Sequence, residues 1–174
     1  MQHFRFYNKQ DILSLTRLRR FETKLGERLH FVSHPAELEA FLAQSPAKFV
    51  LFGIPEDIGI RANSGIAGSE SAWLSFLQSF LNIQSNDFCS GDDIILAGHF
   101  DFGDILHLVE HTARTDDEKL EAYRHAVGTI DEEVEKLAKI ITSSQKIPVA
   151  IGGGHNNAYP LIKGSAKGWY KAGK

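Results

Sequence analysis

The fold is decided by the stretch Ile147-Pro148-Val149-Ala150-Ile151-Gly152-Gly153-Gly154-His155. Apolar residues followed by three glycines predict a buried parallel strand that ends in a tight turn. Such a turn delivers the imidazole of His155 to the carboxyl end of a sheet, where open α/β folds place their sites. A helix is expected to follow over residues 158–167.

Two further apolar runs precede this stretch, at residues 49–53 and 94–98, and both end in glycine. Apolar residues at helical spacing predict helices over residues 69–80 and 115–143, the second with an acidic first turn. Strands that alternate with helices predict an α/β fold with three α/β/α layers and a mainly parallel sheet covered on both faces. The pattern leaves the order of the strands open.

The first part of the chain has a weaker pattern. Apolar residues at near-helical spacing predict a helix over residues 11–20, with Asp11 as its cap. Residues 29–32 are predicted to form a short strand. Pro35 is expected to start another helix.

The bulk properties restrict the function classes. The chain has 174 residues, 43% of them hydrophobic and 24% charged, as in a soluble globular protein. A net charge of -3 gives no reason to expect nucleic acid or an anionic membrane as a partner. A single cysteine, Cys89, excludes an intrachain disulfide. Without a secretory-type apolar segment or a membrane-length run, a cytoplasmic location is expected.

The glycine-rich loop at residues 54–69 is the first candidate for a site. It follows a predicted strand, and Asp57, Arg61 and Asn63 within it could hold a polar ligand. The alternative is a surface loop with turn glycines and a capping Ser69.

Two histidine-containing segments are weaker candidates. His99 and Asp101 after the second strand could ligate a metal or could satisfy backbone groups in a turn. Residues 107–111 have the His-x-x-Glu-His spelling of inverted zinc peptidases. On a helix the two histidines would share a face and could bind zinc, with Glu110 as base. No third ligand is identifiable, so this hypothesis ranks last.

The turn at residues 152–155 has three interpretations on its residues alone. It could cradle a phosphate at a helix N-terminus, as in a nucleotide-binding domain. It could be a structural turn in which His155 acts as a cap. It could also present His155 as a metal ligand, with partners from other strand ends.

Taken together, three segments resemble the N-terminal part of the arginase/agmatinase/formimidoylglutamase family of ureohydrolases. They are residues 53–68, the Asp-Phe-Gly-Asp sequence at residues 101–104, and residues 149–155. The resemblance implies an arginase-like α/β/α fold in which residues 48–174 form the N-terminal half of the domain, with the sheet cut after about half its strands. Residues 1–47 are expected to be an extension packed on the domain.

The third segment also indicates which branch of this family the chain resembles. Arginases and agmatinases usually carry Gly-Gly-Asp-His at this turn, whereas formimidoylglutamases carry Gly-Gly-Gly-His, as residues 152–155 do. Asn156 stands where that branch usually has glutamate, and Ile66 where the loop often has arginine. The resemblance implies hydrolysis of formimidoylglutamate to glutamate and formamide, with arginase or agmatinase specificity as the alternative.

The same resemblance assigns residues to a site. It implies that His155 is the first ligand of a centre with two Mn²⁺ ions, which supply a hydroxide nucleophile at neutral pH. Asp57, Arg61, Asn63 and Asn156 are candidates for the pocket that holds a small amidine or guanidine substrate. The catalytic residues stay unassigned.

The family's later ligand motifs, Asp-x-His-x-Asp and Asp-x-Asp, do not occur, because residues 156–174 contain no Asp, Glu or His. We therefore expect the chain alone to hold manganese incompletely and to be inactive. An apolar strand without a neighbour is expected to favour a homo-oligomer. The alternative function is a non-catalytic α/β binding module that keeps the family scaffold.

Overall fold

The computed structural model describes residues 1–32 and 35–173, and within them one four-stranded sheet carries helices on both sides. The strands are β1 (Phe4–Phe6), β2 (Phe49–Gly53), β3 (Ile94–Phe100) and β4 (Ile147–Ile151). The helices are α1 (Lys9–Leu15), α2 (Leu25–Arg28), α3 (Leu38–Gln44), α4 (Ile58–Ala62), α5 (Ala72–Phe80), α6 (Gly103–Thr112), α7 (Asp116–Ser143) and α8 (Ala158–Lys171).

The sheet has the order β1-β3-β2-β4. β2 pairs in parallel with both β3 and β4, whereas β1 pairs antiparallel with β3. The predicted α/β fold with a mainly parallel sheet is therefore confirmed, with an antiparallel strand added at one edge. Among the described residues, no helix is both long enough and apolar enough to cross a bilayer.

Alternating side chains of the central strands explain the three layers. Val50 and Phe52 of β2 face one core, and Leu51 between them faces the other. Ile95 and Leu96 of β3 divide between the two cores in the same way. Because side chains of a strand point to opposite faces, a sheet that is apolar on both faces needs helices on both.

The first core is covered mainly by α7, which begins and ends close to the predicted bounds. Thr115 caps the helix, since its Oγ1 accepts a hydrogen bond from the Glu118 amide at 3.2 Å. The predicted apolar stripe is buried at Tyr123, Ile130 and Val134. α5 and α1 cover the second core.

Two predictions for the first part of the chain are wrong in detail. The first helix spans Lys9–Leu15 rather than residues 11–20, and Asn8 is its cap. The Asn8 side chain accepts from the amides of Gln10 and Asp11, and Asp11 accepts from the Asn8 amide in return. Asp11 is thus the third residue of the helix and completes a capping box.

The strand predicted at residues 29–32 is also wrong. Only His30 pairs with the sheet, through an isolated bridge to Ile95. β1 pairs with the second half of β3, at residues 98–100, on the side that β2 does not occupy. Since His30 contributes a single paired residue, its segment is too short to count as a strand.

β4 lies at the other edge of the sheet. The Ile147 amide donates to Lys48 O at 2.9 Å, and Ile151 O accepts from the Ile54 amide at 3.0 Å. Because alternate residues of a parallel strand direct their backbone groups to opposite sides, Pro148 faces away from β2. Its missing N–H therefore removes no bond from the β2–β4 ladder.

Candidate functional site

The turn after β4 depends on its glycines. Gly152 and Gly153 have φ angles of 90° and 84°, in the left-handed region that favours glycine. A Cβ at Gly153 would also overlap the Ile54 carbonyl oxygen. The chain then enters a short 3-10 turn, His155–Asn157, which leads directly into α8. His155 is exposed at the start of this turn.

Glu56, in the loop after β2, holds the turn in place. This residue is only 3% exposed. Its Oε1 accepts hydrogen bonds from the Gly154 amide at 2.8 Å and from Asn157 Nδ2 at 2.6 Å, and its Oε2 accepts from the Gly59 amide at 3.1 Å. A buried carboxylate is thus satisfied by three N–H donors, and it fixes the backbone next to His155.

Asp57 and Arg61 bind each other. Arg61 Nε donates to Asp57 Oδ1 at 2.7 Å, and its Nη2 donates to Oδ2 at 3.3 Å. The Gly68 amide adds a third hydrogen bond to Asp57, at 3.1 Å. Arg61 Nη1 also donates to Glu110 Oε1 on α6, at 3.0 Å. The pair therefore ties α4 to α6 and to the end of its own loop.

The pKa values of this pair move in opposite directions. Burial alone raises the pKa of Asp57, but the hydrogen bonds from Arg61 and from the Gly68 amide, together with a contact to Glu70, hold it below its ordinary value. The hydrogen bond to Asp57 raises the pKa of Arg61. Both groups are charged at neutral pH.

Asn156 reaches the same region from the other side. Its side chain packs against Gly59 of α4 so closely that a Cβ at Gly59 would overlap Oδ1. Both polar atoms of this amide are buried, and neither has a hydrogen-bond partner among the described residues. Asn63, by contrast, is exposed at the end of α4. The structure thus pairs Asp57 with Arg61 and packs Asn156 against Gly59 of the same helix, whereas Asn63 lies exposed at the end of that helix.

A cavity of about 260 Å³ lies at the carboxyl ends of β2 and β3. Its polar lining includes Glu56, Asp57, Arg61, Glu70, His99 and Asp101. Burial lowers the pKa of His99, and the buried Nδ1 of this ring has no partner within the described part of the chain. Burial therefore favours the neutral form of the ring, in a cavity whose lining combines four carboxylates with apolar side chains such as Ile58, Phe102 and Leu106.

A second, more open cavity of about 330 Å³ lies beside β4. It is lined by His155, the three turn glycines, Asn157 and Leu161. The Gly154 amide, which a phosphate cradle would use, already donates to Glu56. One amide of the turn is therefore already occupied, and the cavity presents the exposed imidazole of His155.

The described residues do not fit a two-metal centre. Residues 1–32 and 35–173 contain no group of three or more His, Cys, Asp or Glu side chains placed to hold a metal ion. Glu56, the buried carboxylate at the turn, has its oxygens occupied by N–H donors. Within the described part of the chain, His155 belongs to no such group.

Glu56, which fixes the turn that carries His155, is not among the residues that the sequence analysis singled out. Its partners Gly154 and Asn157 lie 98 and 101 residues away along the chain, so no local pattern marks the contact. The sequence pattern points to the neighbouring carboxylate, Asp57, as the pocket candidate.

Comparison with known proteins identifies a family. The model of the arginase family matches residues 47–173. That range contains β2, β3, β4 and the turn that carries His155. No curated protein and no solved structure matches the chain.

Proposed function

Because the chain belongs to the arginase family, we propose that it is part of a metal-dependent hydrolase of linear C–N bonds in amidine or guanidine groups. Residues 48–174 form the N-terminal half of the arginase-like domain in this proposal, and residues 1–47 pack on it as an extension. The observation that carries the proposal is the Glu56-held turn that presents His155 at the carboxyl end of β4.

His155 is the proposed ligand for manganese in the complete site, where bound manganese would supply a hydroxide nucleophile. Its exposure beside the 330 Å³ cavity supports this role. Because the described residues contain no group of three or more candidate ligands, we expect the 174-residue chain alone not to assemble the centre and to be inactive.

The proposed substrate is formimidoylglutamate. The support comes from Gly154, where arginases and agmatinases usually carry aspartate. A Cβ at Gly154 would overlap Asn156 Oδ1 and would lie 3.2 Å from Glu56 Oε1, so an aspartate there would require the Asn156 side chain to move. The local packing is thus suited to the Gly-Gly-Gly-His form of the turn.

Asp57, Arg61 and Asn156 are the proposed walls of the substrate pocket, and Asn63 is proposed at its outer rim. Asp57 and Arg61 contribute as a preformed ion pair, because each is already the hydrogen-bond partner of the other. We also propose a cytoplasmic location, which the exposed free thiol of Cys89 supports.

Activity assays test the proposal. The purified chain, loaded with Mn²⁺, is incubated with formimidoylglutamate, arginine or agmatine, and formamide and urea are measured. We expect no turnover from this chain. The parent gene is then read beyond Lys174, and a product that continues into Asp-x-His-x-Asp is expected to release formamide from formimidoylglutamate.

In such a longer product, His155→Ala should abolish activity, and His125→Ala, at an exposed position of α7, should not. Turnover by the 174-residue chain would contradict the proposed inactivity, and release of urea would contradict the proposed substrate. A longer product that binds an amidine without hydrolysing it would favour the second candidate, a non-catalytic binding module. The absence of a three-donor metal group among the described residues favours that candidate.

A further inference from the structure

The outer face of α6 carries two adjacent imidazoles. His107 and His111 are one helical turn apart and both are exposed. Their rings are stacked, with centroids 3.9 Å apart and planes inclined by 15°. Residues at positions i and i+4 of a helix share a face, which explains why the rings meet.

A backbone hydrogen bond fixes the protonation pattern of one ring. His111 Nδ1 lies 2.8 Å from the His107 carbonyl oxygen. Because a carbonyl oxygen only accepts, Nδ1 must carry the proton, and the neutral ring keeps its lone pair on Nε2. Histidines that bind metals are commonly oriented in this way, by a hydrogen bond from the other ring nitrogen to a carbonyl.

The helix that displays the pair is anchored on its inner side. Val109 is 5% exposed and packs in the first core. Glu110 Oε1 accepts from Arg61 Nη1 at 3.0 Å and from Tyr123 Oη at 3.3 Å. Oε1 of Glu110 is therefore engaged by Arg61 and Tyr123, which argues against Glu110 as the base of a zinc peptidase.

We propose that His107 and His111 form a two-imidazole site for a borderline divalent ion such as Ni²⁺, Zn²⁺ or Cu²⁺. Imidazole nitrogen suits these ions, whereas Mn²⁺ prefers oxygen ligands. Rotation of the exposed rings out of their stack lets one nitrogen of each converge on an ion at about 2.0–2.1 Å. Water completes the coordination, and the site is separate from the turn that carries His155.

Calorimetric titration of the full chain with Ni²⁺ tests the proposal. We expect one ion per chain, and we expect His107→Ala or His111→Ala to weaken binding on the order of 10²-fold, because the second tethered ligand is lost. Excess Mn²⁺ should not compete with Ni²⁺ for the two imidazoles. His125→Ala removes another exposed histidine and should leave the affinity unchanged.

A second variant tests the geometry rather than the number of histidines. The double substitution His111→Ala with Thr112→His keeps the histidine count but moves the second ring to another face of α6. It should bind as weakly as His111→Ala, with an unchanged helical circular dichroism spectrum. Wild-type affinity in this variant, or binding that is lost in His155→Ala and kept in His107→Ala, would overturn the proposal.

Discussion

Asp57 is a buried carboxylate whose negative charge is maintained by its neighbours. Its side chain is 2% exposed, and three hydrogen bonds from Arg61 and the Gly68 amide offset the cost of burying the charge. The pKa of Asp57 is therefore lower in the folded chain than in an unfolded one. A carboxylate whose pKa is lowered by folding stabilises the folded state at pH values above its unfolded pKa.

Asp57→Asn should reveal this contribution. Near neutral pH we expect a loss of about 3 kcal/mol in the free energy of unfolding, because Arg61 loses its buried partner Asp57 and keeps only Glu110. As the pH falls below the unfolded pKa of about 3.9 and through the folded value, the ionic contribution disappears, so the difference from wild type should shrink. Urea unfolding of both proteins at neutral and acidic pH measures this difference in the free energy of unfolding.

Asp87→Asn is the matched control, since Asp87 is exposed. It should change stability little at any pH. If Asp57→Asn matched wild type near neutrality, or if the difference grew on acidification, the ion pair would not have the assigned role.

The contact between Gly59 and Asn156 gives a second prediction at the scale of single residues. Gly59→Ala should cost roughly 1–3 kcal/mol, because the new methyl group overlaps the Asn156 side chain. In an Asn156→Ala background the same substitution should instead stabilise the fold by up to about 1 kcal/mol, because alanine favours the helix. Chemical unfolding of the four variants gives the coupling free energy.

A coupling free energy near zero would show that the turn and α4 are not in contact in solution. It would also remove the proposed link between the turn that carries His155 and the helix that carries Arg61.

At the scale of elements, α8 packs on α7 through two glycines. A Cβ at Gly164 would overlap the Glu135 carbonyl oxygen, and a Cβ at Gly168 would overlap Thr142 Oγ1. Small residues four positions apart lie on one face of α8, so the backbones of the two helices approach closely. The helix that follows His155 is thereby held against the longest helix of the fold.

Gly168→Ala should separate these helices. We expect a loss of about 2–3 kcal/mol in the free energy of unfolding, since the methyl group meets Thr142 and the Lys139 backbone. Gly128→Ala is the matched control, because nothing lies within 4 Å of its added Cβ. The control should gain up to about 1 kcal/mol from helix propensity, and equal effects of the two substitutions would contradict the packing argument.

The elements differ in how far the sequence predicts them. β2, β3, β4 and α7 are predictable because long apolar runs and sustained helical spacing are local signals. β1 is not, because three residues, Phe4–Phe6, form a strand only by pairing with β3, nearly a hundred residues later. Glu56 and the contact of Asn156 with Gly59 were missed for the same reason, since each joins distant segments.

At the scale of the whole molecule, the sheet is covered on both faces but not along β4. Ile147 is 49% exposed, and the rest of β4 is only half-buried. The neighbouring α8 adds exposed apolar side chains at Ile162 and Trp169, which are 70% and 46% exposed. An apolar edge with unpaired backbone groups promotes association with another strand.

We therefore predict that the chain self-associates through β4 at micromolar concentration. Sedimentation velocity should show species larger than the monomer, with a fraction that rises with concentration. Ile147→Lys should shift the distribution towards monomer, because a charged side chain at a sheet edge opposes pairing. Ile66→Lys adds the same charge at a position that is 95% exposed and far from β4 in the sequence, so it should leave the distribution unchanged.

The two lysine variants separate edge pairing from a general effect of charge. If both reduced association equally, net charge rather than the β4 edge would control it. If the wild-type chain stayed monomeric, the second copy would not be the partner of this edge. The homo-oligomer proposal would then fail, while the family assignment, which rests on residues 47–173, would stand.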